Sequence, residues 1–242
     1  MSFQKKAISI DERQAKSTAW ALTFADVVTL LLTFFVLLLV MLNDAEKSIS
    51  VEIDKLLDQT YEEMIKDLSS DKIVVDRVTK GIKITLRGNL FKSASSEIDP
   101  KYFPLVNKIG EIINESDLMH IQEIEDYQGL LRTIEKRESE LNVEVRCEGH
   151  TDDASLPKGS IYPSNWELSA ARSLNLVKLM NKNANMPEKY FSAMGYGEFR
   201  PIIDINSISS FKEKAEARAS NRRVEIYLDA FIKEKVKINL NI

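Results

Sequence analysis

The sequence predicts an α+β protein with a single membrane helix at its N-terminus. One long apolar run lies near the start of the 242-residue chain, and short strand-like runs alternate with helical patterns over the rest. We therefore expect a transmembrane helix, then an amphipathic helix, and then an α/β sandwich in which helices pack on a mixed sheet.

The apolar run covers residues 20–42 and corresponds to about 34 Å of helix, against a hydrocarbon core of about 30 Å. A cleaved signal peptide is the alternative, but its apolar core is shorter and VMLNDAEKS is a poor cleavage site. Residues 1–19 are more basic than the residues that follow the run. The positive-inside rule therefore predicts a cytoplasmic tail over 1–19 in an inner (cell) membrane protein, with residues 43–242 in the periplasm.

The polar residues of this helix share one face. Thr23, Asp26, Thr29 and Thr33 fall within an arc of about 120°, and the other faces are almost wholly apolar. Such a stripe is expected to face a protein partner or a wet cavity, where a carboxylate can exchange a proton or help to ligate a cation. The alternative is that Asp26 lies among the cytoplasmic headgroups and is simply solvated.

Residues 43–72 are expected to form an amphipathic helix that links the membrane to the folded domain. Apolar residues recur there at spacings of three or four, at Ile49, Ile53, Leu56, Leu57, Met64, Ile65 and Leu68. Two interpretations stay open. The helix packs on the next domain or on a second copy of the chain, or it is a regulatory segment that lies on the membrane or blocks a pore.

The domain over residues 73–232 follows as an alternation of strands and helices. The expected strands are 72–78, 81–86, 143–148, 190–194 and 224–228. The expected helices are 100–114, 116–141 and 164–183, the last begun by Ser164 or Asn165.

Composition excludes several classes of function. A net charge of −4 argues against nucleic-acid binding, and one cysteine excludes a disulfide framework. With two histidines, a histidine-based metal site would need carboxylate ligands. His150, Asp152 and Asp153 could be read as an acid–base or metal set, but no nucleophile motif accompanies them. We expect no catalytic residues, no resident metal and no cofactor.

Four blocks in the soluble part carry the functional signal. They are EGHTDD at 148–153, SNWELSAAR at 164–172, GYGEFRP at 195–201 and ASNRRVEI at 219–226. Their order and spacing resemble the OmpA-like peptidoglycan-binding domain over roughly residues 73–230, in its MotB and PomB variant. The run FADVVTLLLTFFVLLLV is similar to the ion-carrying helix of that same family.

The resemblance implies a B subunit of an ion-driven stator unit, in which two B helices stand inside a ring of five A subunits of the MotA, PomA or ZorA type. Asp26, beside Thr29 and Thr33, is then the group that carries the transported H⁺ or Na⁺. The periplasmic domain holds peptidoglycan, and the amphipathic stretch matches the family's plug position.

The resemblance also implies the binding residues. Asp152 and Arg172 match the pair that binds diaminopimelate, whose ammonium and carboxylates suit a carboxylate and a guanidinium. The positions that line or support this pocket are Thr151, Asn165, Leu168, Asn221 and Arg222. Helix capping by Asn165 and core packing by Leu168 are the alternatives for those two.

The output of the motor stays open at this point. The segment 114–142 and the residues after Leu228, which include a C-terminal tail over 233–242, are additions to the family pattern, and the spacer over 43–72 is short. A short spacer also resembles ZorB of the Zorya anti-phage system. We expect flagellar rotation first, with a defence motor or a passive tethered anchor as alternatives. The membrane helix resembles the sodium branch somewhat more than the proton branch.

Overall fold

The computed structural model describes residues 10–68, 72–88, 90–92 and 94–235. Contacts divide the chain into two units, residues 1–50 and 51–242. One helix, α1 (Ile10–Asp67), contributes to both units. It is not interrupted near residue 43, because it contains neither glycine nor proline. Residues 1–9 of the expected cytoplasmic tail and 236–242 of the expected C-terminal tail lie outside the described residues.

The first unit contains the expected membrane segment. Within α1, Ala19–Met41 has a mean hydropathy of 2.6, and its side chains are exposed. That stretch is long and apolar enough to cross a bilayer. The hydroxyls of Thr23, Thr29 and Thr33 donate to the carbonyls of Trp20, Asp26 and Leu30 at 2.8–2.9 Å. The threonines of the polar stripe are thus satisfied within the helix.

The second unit includes the C-terminal part of α1. Its apolar face is buried at Ile53, Leu56, Leu57, Met64 and Leu68. Asp54 and Asp58 form ion pairs with Arg77 at 2.6 and 2.7 Å, and Asp67 pairs with Lys108 at 3.1 Å. The apolar face of residues 53–68 is therefore used in packing on the chain's own folded unit, as the first interpretation of this segment expects.

A mixed five-stranded sheet forms the centre of the second unit, as the sequence predicts. Its strands are β1 (Ile73–Val78), β2 (Gly81–Arg87), β3 (Ser139–His150), β4 (Phe191–Gly195) and β5 (Arg223–Glu234). Their order is β1-β2-β5-β3-β4, and only the β3–β4 pair is parallel. β3 and β5 pair over their whole lengths, so both extend well beyond the predicted strands.

The helices of this unit are α2 (Phe103–Glu115), α3 (Gln128–Lys136), α4 (Asn165–Ala184) and α5 (Phe211–Asn221). The prediction of one helix over 116–141 is wrong, because residues 116–127 are mostly turns and residue 139 begins β3. Leu118 and Ile121 are buried although they lie in turns. The spacing of such apolar turn residues resembles the period of an amphipathic helix, which explains the wrong prediction. The sequence reading missed α5, since only Ala217 and Asn221 of that helix are buried.

The two faces of the sheet differ in chemistry. One face is apolar, with Ile84, Ile226 and Cys147 in register across β2, β5 and β3, all fully buried. α4 crosses from β3 to β4 and approaches so closely that a Cβ on Gly149 would lie 2.1 Å from the carbonyl oxygen of Ser169. The opposite face carries charged side chains. The end of β3 and the start of α4 lie at one edge of the sheet, together with residues of the sequence blocks 148–153, 164–172 and 219–226.

Candidate functional site

A cavity of about 590 Å³ lies where the end of β3, the start of α4 and the start of β5 meet. Its walls come from residues 150–157, from one face of α4 and from residues 222–224. The loop between β2 and α2 closes the remaining side, with Phe91, Lys92 and Lys101. The cavity brings together residues that are more than 120 positions apart in the sequence.

Arg172 is the most deeply buried cation on the wall. It is 6% exposed, and its guanidinium lies over the ring of Phe91 at 5.1 Å. Its Nε donates to the carbonyl of Ser95 at 3.0 Å. No carboxylate of the described residues lies within ion-pair distance of it. Burial lowers the pKa of Arg172 to about 10, which still leaves it charged at neutral pH.

Asp152 also lines the cavity and is already paired. Its Oδ2 accepts a hydrogen bond from Arg222 at 2.6 Å, and its Oδ1 accepts one from the backbone of Ala154 at 3.3 Å. Arg222 remains partly exposed. The cavity wall therefore carries one carboxylate and two guanidinium groups, and the guanidinium of Arg172 has no anionic partner among the described residues.

Three further residues that the resemblance selected also line the cavity. Asn165 is not the helix cap, since Ser164 accepts the bond from the Trp166 backbone at 3.1 Å. The Asn165 amide instead donates to the Ala154 carbonyl and the Glu198 carboxylate, which holds the loop after β3. Leu168 is buried and combines core packing with a place on the wall.

Thr151 is the third of these residues. Its backbone N–H donates to the carbonyl of Gly197 at 2.9 Å. Its hydroxyl is buried and has no hydrogen-bond partner among the described residues. Because an unpaired buried hydroxyl is costly, this group is available to a ligand in the cavity.

Asn221 does not line the cavity. Its Oδ1 accepts hydrogen bonds from the backbones of Ile202 and Ile203, and its Nδ2 donates to the Ile203 carbonyl. It therefore anchors the loop before α5, next in sequence to Arg222, which does line the cavity. Phe91, Lys92 and Lys101 were not predicted from the sequence, because no motif marks the segment that carries them.

Two protein-family models match the chain. The model described as membrane MotB of the proton-channel complex MotA/MotB matches residues 4–56. The model described as the OmpA family matches residues 90–218, slightly more than half of the chain. The second match includes the cavity residues of α4 and of the loop after β3.

Similar whole proteins are known. Motility protein B of Bacillus subtilis is 27% identical, over 94% of this chain and 96% of that protein. An uncharacterised protein of the same organism, YtxE, is 28% identical over 88% of each. Among solved structures, a MotB-like protein from Desulfovibrio vulgaris has a TM-score of 0.54 at 20% identity, over 77% of this chain and 99% of that one. That likeness supports the fold described above.

Proposed function

Because the chain belongs to the OmpA family and its N-terminal residues match the membrane segment of MotB, we propose that it is the B subunit of an ion-driven stator unit. In this proposal the chain crosses the cell membrane once. Residues 51–242 lie outside the cytoplasm and hold peptidoglycan, and Asp26 carries the ion. The chain is a MotB-type binding and membrane subunit and not an enzyme.

The observation that carries the anchoring role is the buried Arg172 guanidinium without a carboxylate partner among the described residues. A buried unpaired cation is expensive, and an incoming carboxylate can accept a bidentate pair of hydrogen bonds from it. Asp152 lies on the same cavity and can pair with an ammonium group. A ligand that bears both groups on one carbon, as diaminopimelate does, satisfies both sides of the cavity.

The test is co-sedimentation of the full chain in detergent with purified peptidoglycan. Arg172→Ala is expected to lower binding by at least tenfold, since a charge-assisted bidentate pair contributes roughly 1.5–3 kcal/mol. Arg132→Ala is the matched control, because Arg132 is an exposed arginine on α3, away from the cavity.

Free diaminopimelate gives a second readout. It is expected to release the wild-type chain from the wall, whereas Nα-acetyl-lysine amide, which keeps an ammonium but has no carboxylate, releases much less. Unchanged sedimentation of Arg172→Ala, or equal competition by both compounds, contradicts the proposed pocket.

Partner subunits follow from the membrane helix. A single helix cannot enclose an ion path, so a MotA-like subunit has to supply the rest. We propose two copies of this chain within five such subunits, as the resemblance implies. We propose flagellar rotation as the output, because a relative that is matched over nearly its whole length is a motility protein. A motility assay distinguishes flagellar rotation from the two alternatives, a defence motor of the Zorya type and a passive anchor.

A further inference from the structure

Three side chains meet on the polar face of the sheet, beside the cavity, and one of them, His150, also contributes to the cavity wall. Glu148 and His150 are two positions apart on β3 and therefore point to the same face. Glu225 on β5 is the register partner of Glu148. The backbone alone thus brings one imidazole and two carboxylates together across the β3–β5 pair, and all three residues are at least 93% buried.

The imidazole lies between the two carboxylates without bonding to either. His150 Nε2 is 3.9 Å from Glu148 Oε2 and 3.9 Å from Glu225 Oε2. One ligand atom from each of the three residues lies within 4.8 Å of the others. Neither nitrogen of the ring has a hydrogen-bond partner among the described residues. Buried ring nitrogens without a hydrogen bond are unfavourable, so a ligand that binds them would stabilise the fold.

The surrounding residues hold the carboxylates in place. Glu225 accepts from Arg223 Nε at 2.5 Å and from the Tyr227 hydroxyl at 2.7 Å. Glu148 accepts from Arg146, which also pairs with Asp229 at 2.8 Å. Outer contacts of this kind orient the ligands of metal sites.

The ring of Tyr196 stacks on that of His150, with 5.4 Å between the ring centroids. It fixes the orientation of the imidazole from outside the sheet.

We propose that Glu148, His150 and Glu225 bind a divalent transition-metal cation of the zinc class. His150 Nε2 and one oxygen of each carboxylate are the ligands. Ligand atoms around tetrahedral zinc are about 3.4 Å apart, so the observed spacing closes on a cation by small side-chain rotations.

The chemistry of the site selects the cation. Arg146 and Arg223 already offset the charge of the two carboxylates, so electrostatic attraction to these carboxylates contributes little to the affinity for a cation. The neutral imidazole nitrogen therefore decides the choice, and it favours zinc, cobalt or nickel over magnesium and calcium.

A cation bound by these three residues would also affect the cavity, because the ligands adjoin cavity residues in the sequence. His150 is followed directly by Thr151 and Asp152, and Glu225 lies three residues after Arg222. A cation that joins the end of β3 to β5 therefore fixes the two backbones that carry the Asp152–Arg222 pair.

The experiment is a Co²⁺ titration of the full chain, purified in detergent without an oligohistidine tag and stripped with a chelator. We expect visible d–d absorption that saturates at one equivalent, is displaced by Zn²⁺, and is unaffected by a large excess of Mg²⁺ or Ca²⁺. Zn²⁺ should also raise Tm, because it binds the folded state.

His150→Gln is expected to weaken Co²⁺ binding at least tenfold. His120→Gln is the matched control, since His120 is the other histidine of the chain and its side chain is 44% exposed. Circular dichroism checks that each variant is folded. If His150→Gln does not fold, Glu148→Gln serves as the second variant and carries the same expected loss.

Two results overturn the proposal. One is the absence of saturable Co²⁺ absorption in the wild-type chain. The other is an unchanged titration in folded His150→Gln or Glu148→Gln, which would place the bound cobalt elsewhere.

Discussion

At the scale of single residues, His150 makes the folded unit sensitive to acid. Burial, with Arg223 and Arg200 nearby, lowers the pKa of His150 from 6.5 to about 4, although Glu225 opposes the shift. Between these two values the unfolded chain binds a proton that the folded chain does not. The free energy of unfolding is therefore at its full value above pH 6.5 and falls as the pH drops toward 4.

We expect the metal-free chain to lose about 2 kcal/mol of stability between pH 7 and pH 5 through this residue alone. The measurement is urea unfolding in detergent with a chelator, followed by circular dichroism. His150→Gln should flatten the dependence over that interval, and His120→Gln should not. A wild-type chain whose unfolding midpoint is the same at both pH values contradicts this account.

The residues of the candidate site were predictable from sequence only where a motif carries them. Asp152 and Arg172 come from short blocks with recognisable order, and both lie on the cavity wall. Phe91 lies under the Arg172 guanidinium, but its loop has no recognisable pattern. Asn221 belongs to a motif, yet it holds a neighbouring loop because its amide matches the backbone of Ile202 and Ile203. Motifs identify positions, while cavity walls depend on tertiary contacts.

At the scale of elements, the C-terminal part of α1 is fastened by ion pairs to the β1–β2 hairpin. Asp54 and Asp58 are one helical turn apart, and both contact Arg77, whose side chain is 22% exposed. The acids themselves are more than half exposed, so the two pairs together contribute little, roughly 1 kcal/mol or less. The two ion pairs therefore affect how the helical segment packs against the hairpin more than they affect the free energy of unfolding of the whole unit.

The double variant Asp54→Asn/Asp58→Asn is expected to speed amide hydrogen exchange over residues 53–68 by up to about fivefold, with a small effect on global unfolding. Asp76→Asn is the matched control, since it removes the Lys83–Asp76 pair of the same hairpin. The difference should shrink in high salt. Equal exchange in the double variant and the wild type would show that apolar packing alone holds the segment.

Elements with strong periodicity were predictable, and those that depend on pairing were not. α4 and the β1–β2 hairpin follow the expected ranges closely. β3 and β5 are longer because their polar ends, such as Ser139 opposite Glu234, pair with each other and not with water. α5 has too few buried residues to show an apolar stripe.

At the scale of the whole molecule, the average composition of a soluble protein conceals two unlike units. The candidate membrane span ends at Met41 and the folded unit begins at Val51. Residues 44–60 belong to the amphipathic segment in which the resemblance places a plug, and they overlap the folded unit, where Ile53, Leu56 and Leu57 are buried. Removing all of 44–60 would damage the core as well as any plug, so the two effects have to be separated by a smaller deletion.

Deleting residues 44–47 removes four residues, about one helical turn, and so leaves the later apolar positions nearly in phase and keeps the buried Ile49. If this stretch restrains ion flow, co-expression of the shortened chain with its A subunit should slow growth, because ions leak through the complex. Adding Asp26→Asn to the deletion should abolish the leak, since the helix then lacks the acid proposed to carry the ion. The readouts are growth rate and cytoplasmic pH, measured in media with and without sodium. Normal growth of the shortened chain, despite intact assembly, rules out a plug at 44–47, and a leak that persists with Asp26→Asn rules out Asp26 as the carrier.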